Sequence, residues 1–599
     1  MLILIKNYSL KIDIKQIFTL FIIFSLTSFA QNFSSIDNNS VRASTRSSYA
    51  KDEEKFSSFE GKIIRRINIY VRDVSSPVSN DDTQWKPSWF GKIGNSLHVK
   101  SKKWVVRNEL LFKEGDKLNP RLLYESERIL RKSDVFLDAN IKPLPVKNAN
   151  DSVDVNVIVQ DKWTISLQFS YKTNYKTGYL GLSDQNFLGF GHFFEAKYTH
   201  DENSTIGSGG NIRYTATNIG GTFINADGKF ETDNSSNFKS IGFSRPFTSI
   251  YIPWSGALTF SWNNNIFRYS NDSIGTVNFP FLEITQDIWI GKTFQLWFLS
   301  SDLKRNTEAF LSARTLHVDY PERPVNSIIS GRLFNSFTQY LFGTGILRKQ
   351  YYEDNYVDGF GITEDIPVGG MLSLILGKDI GALSSRWYTG IEAIYSRRLT
   401  GIGYSSLDLK LGGFKNMRNW EQNLLNFNFI YHSILFKKEK WKYRYFLQAD
   451  LLYGFNRLQG EQIYLNSENN IRGLDNILLY GTKRITLNLE ARIFSPFSPL
   501  GFVLGGIIFS DFGLISNAEV NLSNSKLYQS YGIGIRTRNQ SITNTNFSIS
   551  LAYIPINNRT TGGTFKIIFN TTFVLGSRDF GLSAPSIFQF GNNQQTASP

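Results

Sequence analysis

Ile471-Arg472-Gly473-Leu474-Asp475 is followed along the chain by the run Thr482 to Phe494, in which polar and apolar side chains alternate. Alternate residues of a strand point to opposite faces, so this run is typical of a strand with one polar and one apolar face. The stretch Phe509-Ser510-Asp511-Phe512-Gly513 comes next. An arginine beside a glycine, between strands of this kind, predicts a loop that folds back and places its guanidinium against carboxylates on a barrel wall.

The same alternation continues through residues 162–577, with turns rich in Gly, Asn, Asp and Ser between the apolar runs. A soluble β-sandwich shows such alternation too. However, aromatic residues make up 15% of the chain, with 49 Phe and 28 Tyr, and membrane interfaces favour them. A bilayer also requires every backbone polar group to be paired. The pattern therefore favours an all-β transmembrane β-barrel, and at roughly 25 residues per strand with its loop we expect about 16 antiparallel strands.

Composition excludes several classes of function. The net charge is +14, but Lys and Arg are scattered and no nucleic-acid-binding motif is present, so we expect no nucleic-acid partner. The absence of cysteine excludes disulfides and thiol chemistry. The five His show no metal-ligand spacing, and no serine-nucleophile or phosphate-binding motif occurs. We therefore expect a protein that is not an enzyme and holds no metal and no cofactor.

The N-terminus has the pattern of an export signal. Lys6, Lys11 and Lys15 precede the apolar run 17–26, and Ala30 offers a small residue for cleavage. The run is too short to cross a bilayer as a helix. We interpret residues 1–30 as a signal peptide, with a retained anchor as the alternative, and the polar residues 31–60 as a flexible leader.

Residues 61–161 predict a compact α+β domain with the order strand, helix, helix, strand, strand. We expect Ser101 to cap the first helix and Gly115 to end it, while Asn119 caps the second. Alternating apolar residues place the three strands near residues 67–71, 135–141 and 153–159.

The order of these elements, with the segment 110–136 (LLFKEGDKLNPRLLYESERILRKSDVF), resembles a POTRA domain. POTRA domains are periplasmic modules of outer-membrane assembly and secretion proteins. The alternative is an unrelated small α+β domain. The resemblance implies an exposed sheet edge to which an extended client strand adds through main-chain hydrogen bonds.

The loop around Arg472 resembles the sixth extracellular loop of the outer membrane protein 85 superfamily, whose Val/Ile-Arg-Gly-Phe/Tyr tip folds into the barrel. The stretch 509–513 matches the family's Phe-x-Asp-x-Gly strand, which receives that arginine. The resemblance runs from about residue 61 to 577 and implies a short, BamA/TamA-like form with a single POTRA-like domain. It also includes Gly181–Gly191, Ser244–Phe247 and Tyr531–Asn539.

The resemblance implies a lumenal latch in which Arg472 binds Asp511 and, secondarily, Glu490. An arginine fork bonds a carboxylate bidentately, which supports this pairing, although an isolated Arg and Asp in a barrel are more often ordinary lumenal charges. The other latch residues are Ile471, Gly473, Leu474, Phe509 and Gly513.

Two departures from the family pattern matter. Leu474 stands where the family has an aromatic residue, which predicts a looser latch. The last predicted strand, 564–573, contains no glycine, which puts lateral opening of the barrel in doubt. After the barrel, residues 578–599 are interpreted as a C-terminal tail.

The implied function is outer-membrane protein assembly or polypeptide translocation, with the barrel in the cell outer membrane and the N-terminal domain in the periplasm. The expected partners are outer-membrane lipid, unfolded or extended client polypeptides and other envelope assembly proteins. The alternative is a passive channel or scaffold subunit that keeps the fold without assembly activity.

Overall fold

The computed structural model describes most of the chain from residue 56 onward. The predicted signal peptide and all but the end of the predicted leader lie outside the described residues. The described residues are 56–75, 89, 92, 95–96, 98–147, 149–172, 177–201, 208–232, 236–271, 275–296, 307–323, 334–381, 385–417, 419–458, 461–467, 471–474, 479–499, 502–539, 547–555, 563–570 and 579–591.

The N-terminal part is a small α+β domain in which two helices accompany a three-stranded sheet. The central strand of the sheet is β3, which runs parallel to β1 and antiparallel to β2. The order of the elements is the predicted one. They are β1 Ile63–Arg72, α1 Lys103–Asn108, α2 Pro120–Lys132, β2 Phe136–Val146 and β3 Ala149–Asp161.

Of the two N-cap residues predicted from the sequence, only that of α2 is confirmed. The side chain of Asn119 accepts a hydrogen bond from the amide of Arg121 at 3.1 Å, and Pro120 occupies the first turn. The prediction for α1 was wrong: its N-cap is Lys102, with no side-chain cap. Ser101 instead binds Asp161 through both its amide and its hydroxyl, at 2.9 and 2.7 Å.

The remaining strands, apart from a two-stranded pair described below, form one antiparallel sheet that closes into a barrel. Its first six strands are short: β4 Ile165–Lys172, β5 Thr177–Asp184, β6 Phe193–Asp201, β7 Ser208–Ala216, β8 Asn225–Thr232 and β9 Asn237–Arg245. The next ten are β10 Trp254–Asn271, β11 Gly275–Gln295, β12 Thr307–Glu322, β13 Phe337–Asp354, β14 Glu364–Gly381, β15 Ser385–Leu399, β16 Gly403–Asn416, β17 Asn419–Ser433, the short β18 Phe436–Lys438 and β19 Trp441–Phe455. The last five are β22 Lys483–Phe494, β23 Val503–Ser516, β24 Tyr528–Arg538, β25 Phe547–Ile554 and β26 Thr564–Asn570.

The barrel confirms the predicted fold class but not the predicted number of strands. Within the described residues it contains twenty strands besides the three-residue β18, and β26 lies beside β4 to close the sheet. The expectation of about 16 assumed roughly 25 residues per strand and loop. Strands β4 to β9 have only eight or nine residues each, and their connections are short, so more strands fit into the same length.

The outer surface of the barrel is apolar. On β24, Ile533 and Ile535 are 62% and 64% exposed, whereas Ser530, on the opposite face, is buried. Phe565 and Ile567 of β26 are similarly exposed. Apolar side chains outside and polar side chains inside are typical of a barrel surrounded by lipid. In the part of the chain that the structure describes, no helix is both long and apolar enough to cross a membrane.

The small domain packs against one end of the barrel, which we call the domain-side end. The turn between β5 and β6, inside the sequence motif Gly181–Gly191, provides one contact: Gly189 accepts a hydrogen bond from the amide of Lys102 at 2.9 Å. Gly189 has φ +76°, and a Cβ there would lie 2.4 Å from the carbonyl oxygen of Lys100. The motif is thus a docking turn that needs glycine. Asn186 of the same turn donates to Ser101 at 2.9 Å.

Arg131 at the end of α2 makes a second contact with the barrel. Its fork donates two hydrogen bonds to Asp365, at 3.0 and 2.8 Å, and it pairs with Glu353 and Glu127 at 2.9 and 2.7 Å. Burial alone would lower the pKa of the Arg131 guanidinium, but Asp365, Glu127 and Glu353 outweigh it and hold that pKa well above its ordinary range. The Arg131 guanidinium therefore stays charged despite its burial.

Residues 579–591, interpreted from sequence as a tail, lie inside the barrel. Phe580, Leu582 and Phe590 are almost fully buried against inward-facing side chains of the strands. The barrel wall thus encloses the described part of the C-terminus.

We predict that Arg131→Met loosens the small domain from the barrel. Three carboxylates then lose their common cation, and breaking such a buried pair costs about 3–5 kcal/mol, less here because Glu353 is partly exposed. Limited trypsin digestion should cleave faster at Lys162, between the domain and β4. Lys103→Met, an exposed change on α1, is the matched control. Equal cleavage rates for the Arg131 variant and the wild type would contradict the prediction.

Candidate functional site: the loop latch in the lumen

The connection between β19 and β22 is the long loop predicted from the sequence. Because neighbouring strands are antiparallel and β13 ends at the domain side, this loop lies at the opposite end, which we call the loop-side end. Two short strands, β20 Ile463–Tyr464 and β21 Tyr480–Gly481, pair with each other inside it. Its apolar residues form a buried cluster with the barrel wall: Leu465, Ile471, Leu474, Leu479, Tyr528 and Ile554.

Arg472 at the loop tip binds both predicted carboxylates. Its Nε and Nη2 donate to the two oxygens of Asp511 at 2.8 and 2.7 Å, and its Nη1 donates to Glu490 at 2.5 Å. Asp511 lies on β23 and Glu490 on β22, so the loop is bonded to two adjacent strands. The guanidinium carbon also lies 3.7 Å from the ring centre of Phe509, in a cation–π contact.

The main chain of the tip is held as well as the side chain. The amide of Arg472 donates to Asp511 at 3.0 Å, and Ser530 of β24 donates to the carbonyl oxygen of Arg472 at 2.6 Å. Asn488 of β22 donates to Asp511 at 2.8 Å. Asp511 is fully buried and accepts from the amide and the guanidinium of Arg472 and from Asn488, so the arrangement satisfies a carboxylate that would otherwise be costly to bury.

Two of the predicted latch residues are glycines, at positions where a side chain would clash with neighbouring atoms or strain the backbone. Gly473 has φ +79°, a backbone conformation that other residues rarely adopt, and lies against β25 and β26. Gly513 faces Leu465 and Ile471 of the loop, and a Cβ there would meet them at 2.8 and 3.0 Å. Both positions let the loop approach the wall closely.

Leu474 is only 1% exposed and packs within the loop cluster. The sequence predicted a looser latch because the family has an aromatic residue at this position. The described contacts instead place Leu474 among Ile471, Leu479 and Ile554, where an aliphatic side chain fills the space. How firmly the loop is held in solution stays a prediction.

Sequence reasoning missed Arg492, which extends the charged cluster toward the domain-side end. Its Nε donates to Glu490 at 2.6 Å, and its Nη1 pairs with Asp358 at 3.2 Å. Asp358 lies in the connection between β13 and β14, close to the strand ends that bind Arg131. The position was visible in the sequence, since Arg492 lies two residues after Glu490 and thus on the same strand face.

The result is a continuous series of buried ion pairs, Asp511–Arg472–Glu490–Arg492–Asp358. Each buried cation contacts two carboxylates, and Glu490 joins the two arginines. Such an arrangement positions a loop and a turn against the wall. Among the described residues no group of three metal-ligating side chains is present.

Comparisons with known proteins give only distant likenesses. No protein-family model matches the chain, and no curated protein sequence matches it. CdiB from Escherichia coli is 12% identical, with 84% of this chain and 75% of that chain covered and a TM-score of 0.42. CdiB from Acinetobacter baumannii is also 12% identical, covering 85% and 74%, with a TM-score of 0.37. BamA from Haemophilus ducreyi lacking POTRA domains 1-3 is 11% identical, covering 84% and 83%, with a TM-score of 0.37.

We predict that Arg472→Ala releases the loop from the wall. The change leaves Asp511 and Glu490 buried without their shared cation, at a cost of about 3–5 kcal/mol that water in the lumen reduces. Arg472→Lys should give an intermediate effect because an ammonium cannot form the bidentate fork. Protease cleavage within residues 456–482 of the folded barrel measures the release.

Arg213→Ala is the matched control, because Arg213 pairs with Asp227 at a more exposed position. In an Arg472→Ala/Asp511→Asn double variant the two losses should not add, since both remove the same interaction. Loop cleavage at the wild-type rate in Arg472→Ala would refute the latch.

Proposed function

We propose that this chain is an outer-membrane factor that assembles or translocates polypeptides, with its small domain in the periplasm. The observation that carries the proposal is the latch: the tip Ile471–Leu474 bonds to Asp511 and Glu490 on two adjacent strands. The tip and the stretch Phe509–Gly513, which carries Asp511, are two of the motifs by which the sequence resembles the outer membrane protein 85 superfamily. A loop fixed inside the lumen gives the barrel a defined interior surface for a passing or inserting chain.

The position of the small domain supports a role in receiving clients. It is held at one mouth of the barrel by Arg131 and by the turn around Gly189. A polypeptide bound to this domain therefore lies next to the lumen and to the domain-side ends of the strands. No nucleotide is needed, because the client's own folding supplies the free energy.

The edge of the small sheet that would receive a client strand is β1. The outer edge of β2 offers no free amides to a client strand. The outward amide of Ile141 donates to Glu127 at 2.7 Å, and the next two outward positions, Pro143 and Pro145, have no N–H. On β1, Glu114 accepts from the amide of Ile67 at 2.9 Å. The amides of Ile69 and Val71 point to the same outward side as the amide of Ile67. We place the client strand along these two residues.

We predict that depletion of the protein lowers the level of one or a few barrel or secreted proteins at the cell surface, and that Arg472→Ala does the same. The physical reason is that a displaced loop changes the interior surface that guides the client. Quantitative comparison of outer-membrane and surface proteomes measures this, with Arg213→Ala as the control. If no client is lost in either case, assembly should be abandoned in favour of a passive channel or scaffold.

A second prediction concerns the proposed client edge. Val71→Pro removes an outward amide from β1 and leaves the bonds to β3 in place, so clients should cross-link to the domain less efficiently. Pro143→Ala on the closed edge is the control. Equal client cross-linking in Val71→Pro and wild type, with the domain folded by circular dichroism, would place client binding elsewhere.

A further inference from the structure

The C-terminal segment Asp579–Gly591 crosses the lumen from the domain-side end to the loop-side end. At its start, Asp579 pairs with Lys132 of α2 at 2.5 Å and with Lys349 of β13. At its end, Gly591 lies beside Gln462 and Ile463 in the loop that carries Arg472. Thirteen residues in extended conformation reach roughly 40 Å, enough for this path. The segment therefore spans from the small domain to the latch loop.

Apolar side chains of the segment occupy separate places on the inner wall. Phe580 and Leu582 join a buried cluster with Leu347 and Met371. Farther along, Phe588 packs against Tyr388, and Phe590 packs in another cluster with Leu424, Leu452 and Ile463. Phe580, Leu582 and Phe590 are 6%, 4% and 3% exposed.

The wall provides room for these side chains through glycines on five different strands. An added Cβ on any of them would come within about 3 Å of the segment, and at Gly454 it would lie 2.3 Å from the ring of Phe590. The segment therefore lies in a track where these glycines leave room on the wall between the side chains that contact it. The glycines are Gly291, Gly343, Gly390, Gly412 and Gly454.

Polar groups of the wall also bind the segment. Arg314 donates to the carbonyl oxygen of Pro585 at 3.4 Å, and the amide of Phe588 donates to the hydroxyl of Tyr388 at 3.0 Å. The guanidinium of Arg457 lies 4.0 Å from the ring centre of Phe590. Contacts of three kinds, ionic, main-chain and apolar, thus fix the segment at both ends and between them.

We propose that the inner wall carries a binding track for an extended polypeptide with alternating apolar side chains and an acidic residue at its N-terminal end, and that residues 579–591 are its resident occupant. In the resting barrel this segment acts as a plug. The plug closes the route through the lumen and connects the small domain to the latch loop. The inference concerns the resting barrel and does not depend on the proposed function.

The test measures ion conductance of the purified protein in planar bilayers. A variant that ends at Arg578 should conduct several-fold more than the full-length chain, whereas a variant that ends at Gly591 should conduct like the full-length chain. A synthetic peptide with the sequence of residues 579–591 should reduce the conductance of the shorter variant. A scrambled peptide of the same composition should not.

Unchanged conductance on truncation at Arg578 would overturn the plug, and equal closure by the scrambled peptide would overturn the track. A variant of the full-length chain tests the plug independently of whether the truncated chain folds. Gly454→Val should displace Phe590 and raise conductance, while Gly228→Val, at a glycine with no neighbour within 4 Å, should not. Equal conductance of these two variants would also overturn the proposal.

The absence of cysteine allows a direct measure of position. An added Cβ on Gly343 would lie 3.1 Å from the Cβ of Pro585, and a shift of the segment by less than an ångström brings this distance into the range of roughly 3.5–4.5 Å found in disulfides. The variant G343C/P585C should therefore form a cross-link on oxidation that alters its mobility in denaturing gels and is reversed by a reductant. Failure to cross-link in the folded barrel would show that the segment does not occupy the track.

Discussion

Buried charge inside the barrel is the constraint on which the arrangement of this structure depends. A guanidinium removed from water is costly unless carboxylates surround it. Arg472, Arg492 and Arg131 each meet this requirement with two or three carboxylates from different parts of the chain. The carboxylates come from barrel strands, from the connection between β13 and β14 and from the small domain, so satisfying the charges also fixes the positions of these elements relative to the latch loop.

The barrel can hold these buried charges because its outer face contacts lipid, whereas its inner face contacts the contents of the lumen. Outside, side chains such as Phe565 and Ile533 are exposed and suited to lipid. Inside, the wall combines polar residues and glycines with buried apolar side chains such as Leu347 and Met371, which creates a space where charged, main-chain and apolar groups all find partners. A closed sheet also pairs the backbone of every strand with two neighbours, which leaves the side chains alone to position the contents of the lumen.

Those contents come from separate parts of the sequence and meet in space. The loop between β19 and β22 enters from one end, the connection between β13 and β14 supplies Asp358 from the other, and the C-terminal segment runs between them. Asp579 pairs with one lysine of the small domain and one of the barrel. The small domain, the plug and the latch loop are therefore in physical contact through a series of adjacent residues.

The sequence alone determined the barrel and the order of elements in the small domain, because alternation is a local property of the chain. The pairing of Arg472 with Asp511 and Glu490 was implied by the resemblance of two short motifs to a known family. The sequence overestimated the residues per strand, since turn lengths are too variable to count strands, and it assigned Ser101 to a cap rather than to Asp161. Only the tertiary structure decided that Arg492 and Asp358 extend the latch and that Phe580 to Phe590 fill a track of glycines. These contacts join residues far apart in the chain, and no local pattern specifies which inward-facing positions meet when the sheet closes.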